Sequence, residues 1–150
     1  MGDLLQPWHL MVLSLVFGFF FLIPACFYLL TLQRTLNKCA PTSRTLEPGM
    51  VWLCIVPLVN LVSNFFVVFG MAKSLRNEFN RRGVVIAEAT PGQSIGLAMC
   101  ICACCSIIPI LGLLAALAGL VLWIMYWTKI AEYSRTLDAH PQTAMQMTTL

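Results

Sequence analysis

Residues 89–128, ATPGQSIGLAMCICACCSIIPILGLLAALAGLVLWIMYWT, run for 40 residues without an Asp, Glu, Lys or Arg. A helix needs about 20 apolar residues to cross the hydrocarbon of a bilayer, so this run is long enough for two crossings. Pro109 lies near its centre, where proline opens a new helix as readily as it kinks one. Thr90-Pro91-Gly92-Gln93 has the form of a capping box with proline at the first helical position. The run therefore predicts two antiparallel helices, Pro91 to Ile107 and Pro109 to Leu137.

Working outward, residues 4–33 and 48–72 are also free of those four residue types. Over the whole chain only 10% of residues are charged, 59% are hydrophobic and the mean hydropathy is +0.84. That composition lies outside the range of soluble domains and predicts an integral membrane protein. At 150 residues it is one helical unit with no separate catalytic domain. The first interval lacks the basic flank and Ala-x-Ala site of a secretory signal, so it reads as a retained helix from Trp8 to Leu32. Gln6 argues against myristoylation, and Asn37-Lys38 before Cys39 against a lipoprotein cleavage site.

A loop is expected over 37–49, where Pro41, Thr42, Ser43, Pro48 and Gly49 fall. The next helix is expected to run unbroken from about 48 to 82, leaving the membrane near Met71 and ending at Gly83 behind Arg81 and Arg82. The fold class is thus all-α and polytopic, with four transmembrane helices (8–32, 48–82, 91–107, 109–137), short loops and a flexible tail over 138–150. Alternating spans with an inner N-terminus put Lys73, Arg76, Arg81, Arg82, Lys129 and Arg135 inside, against Arg34, Lys38 and Arg44 outside. The positive-inside rule then favours two cytoplasmic termini.

The stretch Cys100-Ile101-Cys102-Ala103-Cys104-Cys105 holds four of the seven cysteines. On a helix Cys100 and Cys102 point to nearly opposite sides, so the four do not converge on a metal ion, and no Cys-x-x-Cys pair occurs. At a spacing of four, Gly92, Gly96, Cys100 and Cys104 form a small-residue ridge suited to close helix packing. The next helix offers Gly112/Ala116 and Ala115/Gly119 as a counterpart.

Polar residues at membrane depth are few. Pro57, Asn60 and Asn64 share one face of the second helix, with Ser63 beside them, and this face is the candidate interaction site. Lys73, Arg76, Arg81 and Arg82 would lie at the inner surface, where they can hold anionic headgroups. No Asp, Glu, Lys or Arg falls within the charge-free, membrane-embedded part of a span, and no metalloprotease, nucleophile-elbow or phosphate-loop motif occurs. No enzyme activity, cofactor, metal or nucleic-acid partner is expected.

The run Pro57-x-x-Asn60-x-x-x-Asn64-Phe-Phe-Val-Val, leading into Ala72-Lys-Ser-Leu-x-x-Glu78-Phe-x-x-Arg82-Gly, resembles small uncharacterised bacterial proteins of about four membrane helices. "IGLAMC" and "IMYWTKIAEYS" extend that resemblance across residues 50–137. It implies a bacterial inner membrane and brings no activity. The expected function is a non-catalytic subunit or scaffold packing against membrane lipids and other membrane proteins or copies of itself. The alternatives are an oligomeric channel or small-solute facilitator lined by Asn60, Ser63 and Asn64, and a pigment- or haem-associated subunit using His9.

Overall fold

The computed structural model describes residues 6–108 and 111–141, and every regular element among them is helical. Helix α1 covers Pro7–Lys38, α2 Pro57–Arg82, α3 Gln93–Cys105 and α4 Gly112–Ala139. A 3₁₀ helix, Pro48–Ile55, lies between α1 and α2. Two helices, α1 and α4, are long and apolar enough to cross a membrane, with hydropathies of 2.5 and 1.7. At 1.5 Å per residue, the 13 residues of α3 extend only about 20 Å, short of a hydrocarbon core of about 30 Å.

The expected continuous helix over 48–82 is not formed. Val56 is extended (φ −74, ψ 112) and caps a new helix whose first residue is Pro57. The residue before a proline is driven out of the helical region, so the chain breaks at Val56 where an unbroken helix had been expected. The carbonyl of Leu53 accepts the Val56 N–H at 3.2 Å.

The segment between α1 and α2 doubles back along α2. The Ala40 N–H meets Glu78, the Thr45 N–H meets Ser74, and Ser63 Oγ reaches Cys54 Sγ. Rising numbers on one strand thus meet falling numbers on the other. The 3₁₀ segment and α2 form a hairpin, and α3 and α4 form a second, with Gly119 against Cys102 and Gly92 against Tyr126 and Ile130.

Helix direction overturns the alternating four-span arrangement. Trp127 Nε1 donates to Thr31 Oγ1 at 3.0 Å and Lys38 Nζ to Ser134 Oγ at 2.7 Å, the same separation of 96 residues at both points. A constant offset means that α1 and α4 run parallel, whereas the first and fourth of four alternating spans are antiparallel. α2 is parallel to α4 as well, since Phe79 packs edge-on against Tyr133 and Arg82 bonds the carbonyl of Leu137. The C-terminal ends of α1, α2 and α4 therefore meet, and both hairpins open toward that meeting point.

The buried core lies at the same end. Tyr28, Leu32 and Leu36 of α1, Met71, Leu75 and Phe79 of α2, Cys100 of α3, and Tyr126, Ile130 and Leu137 of α4 pack together. Beyond it, the first two-thirds of α1 stands clear, with Met11, Leu15 and Phe20 each 70% exposed or more.

Three boundaries also move. Gly92 takes the left-handed conformation (φ 69) as the N-cap of α3, and its N–H is held by Glu88 Oε2 at 2.8 Å instead of by the expected capping box. Pro109, expected to open the fourth helix, lies outside the described residues, and α4 begins at Gly112. The tail is not free from residue 138 onward, because α4 continues to Ala139 and Asp138 pairs with Lys38 at 2.6 Å. The rest of the expected tail, 142–150, falls outside the described residues.

Candidate functional site

Where the three helix ends meet, Glu78 is fully buried and charged groups converge on it. Arg81 reaches Oε1 with Nη2 at 2.5 Å and Oε2 with Nε at 3.2 Å, and Arg82 Nε donates to Oε1 at 2.7 Å. The Ala40 N–H donates to Oε2 at 3.0 Å. Burial pushes this carboxyl up, but the hydrogen bonds from Arg81, the Ala40 amide, Arg82 and Ser43 outweigh it and hold it at about 2. It stays ionised because its lone pairs are filled.

Arg82 spends the rest of its guanidinium on backbone. Nη1 donates to the carbonyls of Leu137 and His140 at 2.7 and 2.6 Å, and Nη2 to that of Lys38 at 2.7 Å. The last carbonyls of a helix have no partner within it and carry the negative end of its dipole. One buried cation therefore satisfies the ends of α1 and α4 while sitting on α2. Arg44 adds to this by donating to Cys39 O and Asn37 O, both at 2.9 Å.

Around this centre side chains join parts of the chain as much as 96 and 100 residues apart. Lys38 joins α4 through Ser134 and Asp138. Ser74 Oγ accepts the Thr45 N–H at 2.9 Å, and Asn77 Nδ2 donates to Ser43 O at 3.2 Å. Glu88 holds the Gly92 amide and Lys129 Nζ, the latter at 3.0 Å, tying the 83–92 connection to α4. Its carboxyl is lowered first by the Gly92 amide, against the opposing effect of burial.

Glu78 was legible only in part. It falls on the stripe Met71, Leu75, Phe79 and Arg82, whose period of three and four marks a buried face. An acid on that stripe must be paired.

The residues singled out from sequence are placed as follows. Asn64 Nδ2 donates to Asn60 Oδ1 within α2, and Ser63 Oγ donates to the Asn60 carbonyl at 3.2 Å. The two amides are thus joined to each other one turn apart, and among the described residues neither side chain hydrogen-bonds a neighbouring helix. Pro57 begins α2. Gly96 is wedged, since a Cβ there would lie 2.6 Å from Val68 and 2.8 Å from Tyr126. Cys100 is buried beside it, and Cys104 is half-buried. Gly119 faces Cys102, off the ridge of Gly92, Gly96, Cys100 and Cys104, and Gly112 closes tightly on the Ser106 carbonyl. Ala115 is half-buried and Ala116 exposed.

Of the four cations expected to hold headgroups, Lys73 and Arg76 are exposed, while Arg82 (6% exposed) and in part Arg81 (35%) are committed to Glu78. Buried pairing removes Arg82 from any headgroup role. The His9 ring is stacked on Trp8 at 3.6 Å. All seven cysteines are free thiols, and no group of His, Cys, Asp and Glu among the described residues could hold a metal ion.

No family model matches this chain, and no curated protein or solved structure is similar to it.

Proposed function

We propose that the chain is a non-catalytic integral membrane subunit of a bacterial inner membrane, set with its three-helix junction at the cytoplasmic surface. All nine Lys and Arg residues (Arg34, Lys38, Arg44, Lys73, Arg76, Arg81, Arg82, Lys129 and Arg135) belong to segments gathered at that end. The positive-inside rule places such an end in the cytoplasm. With α1 leading away from it, the N-terminus then faces the other side.

The observation that carries the subunit reading is the isolation of α1. Its most apolar window is 0% buried, and its own bundle grips it only from about Tyr28 onward. Among the described residues, nothing beyond its own stretch of helix lies within 4 Å of the position where a Cβ would project from Gly18. Ser14, one turn earlier, is exposed too, so this span offers a small-residue notch to a second transmembrane helix.

A photo-crosslinking residue at Leu15 or Phe19 tests this in native membranes. Adducts with another membrane protein, or with a second copy, are expected. Adducts with lipid alone would sink the reading.

A further inference from the structure

The 3₁₀ segment and α2 enclose an apolar groove of about 560 Å³, walled by Leu46, Met50, Leu53, Val62 and Phe66, with Lys73 at one end. Along α2 it runs from Val59 to Lys73, about 21 Å at 1.5 Å per residue, more than half the depth of a hydrocarbon core of about 30 Å. The Ser63 hydroxyl inside it is spent on Asn60 and Cys54, and the Thr45 hydroxyl near the mouth on Gly70 and Ser74. The trough itself thus favours a hydrocarbon chain over a polar ligand.

Its mouth is cationic. Lys73 makes no hydrogen bond or ion pair with any described residue, and neither does Arg76, its neighbour three residues on. Lys38, Arg81, Arg82 and Lys129 are by contrast all engaged. Arg76 also lines a second cleft of about 370 Å³, beside Asn80 and Glu88. The acids nearby are Glu88, which is held by Lys129 and the Gly92 amide, and the exposed Glu47 next to Leu46. Uncommitted Lys73 thus stands at the end of an apolar trough, with uncommitted Arg76 three residues further along α2, where the charged end of the protein begins.

We infer that this groove binds an anionic phospholipid, one acyl chain lying between the 3₁₀ segment and α2 and the phosphate held by Lys73 and Arg76. The inference rests on the membrane reading above. A cation near an anionic surface contributes about 1 kcal/mol, or about fivefold in affinity, so Lys73 is enough for measurable selectivity.

The test uses the full chain in nanodiscs containing equal phosphatidylglycerol and phosphatidylcholine, with retained lipid read by native mass spectrometry. Wild type should retain phosphatidylglycerol preferentially. Lys73→Glu should abolish that preference, while Arg135→Glu, another exposed cation at the same end, should preserve it. Val62→Trp, at a 57% exposed position on the groove wall, should lower retention of both lipids. Equal effects of the two charge reversals, or full retention by Val62→Trp, would overturn the site. So would displacement by glycerophosphoglycerol at the concentration at which the intact lipid competes, since the headgroup alone would then suffice. Should Val62→Trp fail to fold, the comparison of the charge variants still decides. Extraction of the chain from membranes by alkaline carbonate would sink the membrane reading itself. An embedded chain retaining both lipids equally would sink only the groove.

Discussion

Arg82 lies directly on Glu78, Nε to Oε1 at 2.7 Å, with 6% and 0% of the two side chains exposed. Neither charge can reach water, so each depends on the other and on the backbone groups around them. Removing one partner leaves the other charged, buried and unpaired, which costs about 3–5 kcal/mol. Glu78→Gln should therefore destabilise the protein by about that amount, read as a fall in the thermal midpoint in detergent. Arg81→Ala should cost about 1 kcal/mol or less, because that side chain is 35% exposed and water can replace it. Equal effects of the two variants would show that Glu78 is not the anchor of the junction.

The same carboxylate sets a pH dependence. Its folded value of about 2 lies below the ordinary 4.5 of a glutamate, so the stabilisation is fully present above 4.5. As pH falls the unfolded chain takes up the proton first, and the contribution disappears between about pH 4.5 and pH 2. The shift corresponds to about 3 kcal/mol. Denaturation midpoints should be flat from neutral pH to about 5 and drop steeply below 4.5 in wild type, with a shallower drop in Glu78→Gln. A wild-type curve parallel to the variant's would disprove the assignment.

Parallel packing of α1 and α4 makes a topological prediction. Reporters fused near Thr42 and at residue 150 should give the same cytoplasmic signal, and a reporter at residue 1 the opposite one. In four alternating spans, Thr42 would be the odd one out. An external signal at Thr42 would therefore separate the ends of α1 and α4 that Lys38 and Asp138 join.

Gly96 and Gly119 should respond differently to the same small change. A methyl at Gly96 would meet Val68 at 2.6 Å and Tyr126 at 2.8 Å, and these belong to two other helices. Gly96→Ala should cost about 1–3 kcal/mol through overpacking. At Gly119 the nearest atom is Cys102 Cβ at 3.5 Å, ordinary contact, so Gly119→Ala should be close to neutral. Detergent melting curves of the two variants make the comparison. Similar losses would mean that α3 is not wedged between α2 and α4 at Gly96.

The all-helical class and the approximate position of each apolar segment were legible in the sequence, because hydropathy and helix-breaking are properties of a residue and its near neighbours. Charge-free intervals and Gly83 as a helix stop are both read over a few turns. Helix direction is a different kind of fact. The 18 residues from Cys39 to Val56 could equally have linked successive spans or folded back along α2, and local composition does not distinguish these paths. The choice is made by contacts such as Ala40 with Glu78 and Lys38 with Ser134, the latter 96 residues apart. The same holds for the functional residues. The pairing of Asn60 with Asn64 is local, one turn apart, and could have been weighed from spacing alone. Whether Arg82 faces lipid headgroups or the carbonyls of Lys38, Leu137 and His140 depends on where two other helices end, and only the tertiary structure brings those ends together.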